Sequence, residues 1–151
     1  MELAPDFKEF FGLLNDHRVE FVVIGAYALA FHGAPRYTGD MDILVRPTPE
    51  NAVRVVAAVS AFGFPTDALP PSKVVDPHCL IEMGTPPVQL HLMSAIDGVS
   101  WDQVWEGRIA TAVEGLSIPF IGRQAFLENK RAVGRAKDLA DIEALTEKPG
   151  P

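Results

Sequence analysis

In the stretch YTGDMDILV, Asp40 and Asp42 stand one residue apart at the head of an apolar run. A strand turns alternate side chains to the same face, so the two carboxylates project together at roughly 7 Å spacing. Held that close they repel unless a cation lies between them. Mg²⁺ takes oxygen ligands and is commonly held by one or two carboxylates together with the phosphates of a substrate. The pair therefore reads as a seat for a metal-bound nucleotide. The plainer alternative is that Asp40 closes a turn after Gly39 while Asp42 faces solvent at a strand end.

Other residues strengthen the first reading. Gly25 ends the run VEFVVIG and opens YALAFHG, a strand passing directly into a short helix. Free backbone N–H groups and the helix dipole favour a phosphate there, and a glycine allows close approach. GAYALA lacks the further glycines of a dinucleotide-binding loop. Arg36, in PRYTGD, is available to neutralise phosphate or to brace the acid pair. Residues 123–137 carry Arg123, Lys130, Arg131, Arg135 and Lys137 against one acid, Glu128, inside a chain of net charge −7. That contrast suits either a polyanion or a solvated helix face.

These residues need elements to position them. Pro5 suits the first turn of a helix over 5–16 whose oily face is Phe7, Phe10, Phe11 and Leu14. Strands are expected near 20–24, 41–46, 79–83 and 88–93, the last two forming a hairpin around Gly84-Thr85-Pro86-Pro87. The acid-bearing strand should be central, because Met41, Ile43 and Val45 point away from Asp40 and Asp42. Thr48 caps a helix with Pro49 in its first turn, running through Val53, Val56 and Ala57 toward Phe62. The four prolines of residues 65–77 indicate a loop. A short helix near Trp101–Trp105 and two strands within RIATAVEGLSIPFI lead to a helix over 124–133, broken by Gly134. The last helix, KDLADIEAL, presents Leu139, Ile142 and Leu145 on one face.

Length and composition bound the rest. A chain of 151 residues, 48% hydrophobic and 22% charged, fits one domain over 1–146 with a flexible tail at 147–151. The acidic start MELAPDFKEF has no secretory character, and no apolar run approaches a membrane span, so a cytoplasmic protein without membrane association is expected. Cys79, the single cysteine, excludes an internal disulfide. The acidic balance argues against a general grip on duplex DNA.

Taken together, FVVIGAYALAFHGAPRYTGDMDILVRPTPENA, PPVQLHLMSAIDGVSWDQVW and GRQAFLENKRAVGRAKDLADIEAL resemble the polymerase-beta-type nucleotidyltransferases, in particular the small bacterial group of minimal nucleotidyltransferases and abortive-infection toxins. The resemblance implies an α/β fold, a mixed sheet with helices largely on one face. It also implies transfer of a nucleoside monophosphate from a nucleoside triphosphate to a hydroxyl on an RNA end, a protein side chain or a small molecule. Gly25 and Ala26 match the phosphate-contacting glycine motif; Asp40 and Asp42 match the Mg²⁺-binding pair, with Mn²⁺ as the alternative ion. Lys130, Arg135 and Lys137 fall where such proteins hold phosphates, and Asp138 and Asp141 match acids of the same segment. Where the family carries a third carboxylate, VQLHLM offers His91, a donor that suits Mn²⁺ or Zn²⁺ better than Mg²⁺ and whose titration range suits a general base. Glu82, on the neighbouring strand, is the other candidate for the missing carboxylate. The resemblance further implies an antitoxin or helical partner protein. The contrasting expectation is a catalytically degenerate module of the same fold acting through such a partner, and a weaker one is a zinc site of His78, Cys79 and His91.

Overall fold

The computed structural model describes residues 1–147. Helix α1 (Pro5–Asp16) opens the chain, and β1 (Phe21–Ile24) passes without a loop into α2 (Gly25–Phe31). Strand β2 (Asp40–Val45) is followed by α3 (Pro49–Ala61), the one-turn α4 (Pro71–Val74), and the hairpin β3 (Ile81–Thr85) and β4 (Val88–Met93). Helix α5 (Trp101–Gly107), the hairpin β5 (Ile109–Val113) and β6 (Leu116–Phe120), then α6 (Arg123–Val133) and α7 (Ala136–Thr146) complete it. No helix among the described residues is long and apolar enough to cross a membrane. The expected tail lies, beyond Glu147, outside the described residues.

The six strands form one mixed sheet in the order β3-β4-β2-β1-β6-β5, which puts the acid-bearing β2 inside it as expected. β2 runs antiparallel to β1 and parallel to β4, with Asp42 opposite both Ile24 and His91. Residues paired across a ladder share a face. Phe21, Val23, Met41, Ile43, Val45, Leu90 and Leu92 therefore form one apolar surface, and all are buried. Phe11 of α1 stacks on Phe21 at 5.8 Å, and Phe31 at the end of α2 stacks on Phe120 at 4.5 Å. Phe10 meets Phe62, just past α3, edge to face, so three helices share this side. Asp40, Asp42 and His91 occupy the other face.

Local chemistry sets the element ends. The Thr48 hydroxyl accepts from the Asn51 amide at the start of α3. Asn51 itself is buried: its side chain accepts from Glu20 N at 2.8 Å and donates to the carbonyls of Glu20 (3.0 Å) and Arg46 (3.1 Å). One amide thus ties α3 to the ends of β1 and β2. Gly134, in the left-handed region at φ 68°, closes α6 by donating its N–H to the Lys130 carbonyl.

The buried face of α3 is Asn51, Ala52, Val55, Ala58 and Val59, while Val53 and Ala57 face out. Two expectations need correction. The proline-rich segment contains α4, which buries Val74. Leu139 of α7 is 55% exposed, and the inward positions are Asp138, Asp141 and Leu145. Charge pairs at Asp138 and Asp141, together with the buried Leu145, set the rotation of that helix.

Candidate active site

The turn from β1 into α2 is the first wall of a cleft of about 460 Å³. Gly25 has φ +70°, and a Cβ built on it would fall on the Asp42 carboxylate, with Asp42 Cγ 3.0 Å away. The glycine gives both the left-handed turn and the room for the acid. Asp40 and Asp42 project into the same cleft from the start of β2, and His91 joins them from β4. Its Nδ1 lies 3.0 Å from Asp42 Oδ1, and Nε2 is buried without a hydrogen-bond partner among the described residues. Burial raises the Asp42 carboxyl above its ordinary range and the charge of Asp40 adds to this, while His91 and Lys130 pull the other way.

The opposite wall comes from α6 and the start of α7. Asn129, Lys130, Val133, Arg135 and Lys137 line the cleft there, and the segment after β4 adds Ala95, Ile96 and Asp97. Lys130 is buried, its ammonium 3.1 Å from Asp138 Oδ1 and 3.2 Å from Asp141 Oδ2. Asp138 also accepts from Arg135 Nε at 2.7 Å. Burial alone would raise the Asp138 carboxyl, but the hydrogen bonds and charges of Arg135 and Lys130 outweigh it and hold it at about 2. Asp141 in turn accepts from Arg36 Nε at 3.0 Å and Nη2 at 3.2 Å. Two buried carboxylates thereby fix three cations and lock α6, α7 and the segment before β2 together.

The cleft therefore gathers Gly25, Asp40, Asp42, His91, Lys130, Arg135 and Lys137 from four stretches of the chain. Two residues read from sequence as nucleotide-binding stand elsewhere. Arg36 braces Asp141 rather than the Asp40–Asp42 pair and does not line the cleft. Ala26 is buried in the first turn of α2. Glu82 pairs with His91 across the hairpin, one strand farther from Asp42, and is exposed. Asp97 and Asn129 went unread; Asn129 donates to the Asp97 carbonyl at 2.9 Å and so joins α6 to the segment after β4. Only the proximity of Asn129 to the basic run marked it in sequence.

Among the described residues, no group of three His, Cys, Asp or Glu side chains gathers closely enough to hold a metal ion, which removes the zinc site of His78, Cys79 and His91. Asp40 and Asp42 by themselves still fit a hard divalent cation that completes its oxygen shell from a bound polyphosphate.

No protein-family model and no curated protein matches the sequence. Solved structures do match the fold. A Thermotoga maritima protein provisionally described as a nucleotidyltransferase aligns over 97% of this chain and 96% of its own, at 17% identity and a TM-score of 0.64. The lincosamide adenylyltransferase LnuA, solved with lincomycin bound, aligns over 95% and 96% at 14% identity and a TM-score of 0.61. The antibiotic-resistance factor ANT(2″)-Ia, solved in complex with adenylyl-2″-tobramycin, aligns over 93% and 86% at 12% identity and a TM-score of 0.58. The chain has the nucleotidyltransferase fold.

Proposed function

We propose that this protein is a metal-dependent nucleotidyltransferase, moving a nucleoside monophosphate from a triphosphate to a hydroxyl acceptor. One observation carries the reading: on a nucleotidyltransferase fold, a glycine turn and two carboxylates face a cationic wall across a single cleft. Asp40 and Asp42 would hold Mg²⁺ or Mn²⁺, which supplies charge neutralisation at the phosphate oxygens. The turn at Gly25 admits the polyphosphate against the backbone, and Lys137 and Arg135 offset its negative charge from the other wall. Lys130 acts from beneath, fixed by Asp138 and Asp141.

In the reaction, an acceptor oxygen forms a bond to the α-phosphorus while the bond to the pyrophosphate oxygen breaks, and pyrophosphate leaves. The contact between His91 Nδ1 and Asp42 fixes the imidazole ring beside the acid pair, so His91 positions a metal-binding carboxylate. The tobramycin adduct and lincomycin in the fold neighbours favour a small-molecule acceptor over an RNA end or a protein side chain.

The same His91–Asp42 contact favours a second reading, since it occupies an oxygen of the metal-binding pair: a non-catalytic module serving a protein partner such as an antitoxin. Incubation with each α-labelled nucleoside triphosphate, in Mg²⁺ and in Mn²⁺, separates the two. The acceptors are an aminoglycoside, a lincosamide, transfer RNA and protein. Label on any of them, absent with Asp40→Asn, supports transfer; none with any pairing favours the module.

A further inference from the structure

The two edges of the sheet differ. At one edge, β3 carries the charged Glu82 and runs into Pro86-Pro87, features that deter strand pairing. At the other, β5 reads Ile-Ala-Thr-Ala-Val, without a charge or a proline. Ile109, Ala110 and Ala112 are exposed, Ile109 being 37% so.

The ladder shows which backbone groups this edge offers. Ala110 lies opposite Pro119 of β6, and proline has no N–H to donate. The Ala110–Pro119 pair is therefore of the non-bonded kind, and alternation makes Ala112–Ser117 the same. The Ile121 N–H, bonded to the Val23 carbonyl across β6, agrees with that alternation. Ala110 and Ala112 thus turn their N–H and C=O groups outward, and among the described residues no hydrogen bond occupies them.

We propose that this edge pairs with the same edge of a second copy, antiparallel about a two-fold axis at Thr111, joining two sheets into one. The register follows from full overlap of the strand with itself. Ala110 then faces Ala112 of the other copy with their free backbone groups opposed, and the two Thr111 side chains meet as a cross-strand pair. Ile109 falls beside Val113 and loses its exposure.

The flanking charges fit this register. Arg108 immediately precedes β5 and Glu114 immediately follows it, so each Arg108 stands across from Glu114 of the other copy, once at either end; Oε2 of Glu114 accepts from the Leu3 N–H at 3.2 Å, which leaves Oε1 for the guanidinium. Trp101 and Trp105 stack at 5.3 Å, and the Arg108 guanidinium lies 3.5 Å over the Trp105 ring, donating also to the Trp105 carbonyl. It is held at the end of the strand before a partner arrives. A two-fold pairing makes identical patches self-complementary. With one short strand from each copy the contact is small, so dissociation in the micromolar range or weaker is expected.

Sedimentation across low to several hundred micromolar protein tests this. The unmodified chain is expected to shift from monomer to dimer. Ala112→Pro, at an edge position whose N–H points outward, is expected to stay monomeric with an unchanged unfolding midpoint and circular dichroism. Arg108→Glu is expected to weaken the dimer at least tenfold and Arg108→Glu/Glu114→Arg to restore it. A chain that stays monomeric throughout overturns the proposal. So does a proline variant that associates as the unmodified chain does, or a charge swap no better than Arg108→Glu alone.

Discussion

At the scale of single residues, the site works against folding. Asp42 is a half-buried carboxylate whose ionisation is disfavoured by burial, and it is kept there by a glycine that yields space to it. Asp42→Asn preserves an acceptor oxygen for His91 while removing the buried charge. It should abolish metal-dependent nucleotide binding and raise the unfolding midpoint at neutral pH; a thermal scan beside a binding titration checks both. Gly25→Ala places a methyl on that carboxylate in a left-handed turn. It should lose nucleotide binding and cost roughly 1–3 kcal/mol, measured by denaturant unfolding. Asp138 behaves in the opposite sense to Asp42. Its folded pKa, about 2, lies below the ordinary aspartate value of 3.8, so its stabilisation is fully present above about pH 4 and is lost as pH falls toward 2. That term amounts to roughly 2 kcal/mol. Asp138→Asn should flatten the acid limb of the stability profile by about that amount, and unfolding across pH 2–6 reads it.

At the scale of elements, what could be read from sequence depended on what packs where. Helix α1 was legible because four large apolar residues recur at helical spacing and all four are buried. The acid-bearing strand was legible because its alternation is strict. The inward face of α3 was not readable, because alanine and valine occur all around that helix and a buried asparagine, not an apolar residue, anchors its start. Helix α7 was misread because sequence periodicity treats aspartate as outward-facing. Here Asp138 and Asp141 turn in to meet Lys130, Arg135 and Arg36, and Leu139 is left out. The cations that neutralise them come from three segments, and no local pattern reveals such a pairing. The Asn51 anchor gives a prediction at this scale. Asn51→Leu leaves the Glu20 and Arg46 groups without their partner and should cost roughly 2–4 kcal/mol in chemical denaturation, with little effect on the cleft itself.

At the scale of the molecule, the cleft is made by sheet topology. A parallel neighbour, β4, brings His91 beside Asp42, and the return of the chain through α6 closes the opposite wall with basic residues far away in sequence. The acid pair, the glycine and the basic run were each visible in the sequence. Their convergence was readable only as a resemblance, and Asp97, with its carbonyl bond to Asn129, was not readable at all. Lys130, Arg135 and Lys137 line the wall opposite the acid pair, within a chain that is acidic overall, so polyphosphate binding there should weaken with salt. The most direct test is calorimetric titration of a nucleoside triphosphate in Mg²⁺ or Mn²⁺ into the unmodified chain, Asp40→Asn and Asp42→Asn, each with and without chelator. Saturable binding by the unmodified chain, lost on chelation and in both variants, is the predicted result. Equal binding by all three chains, or none by the unmodified one, would contradict the assignment of this cleft as a metal-nucleotide site.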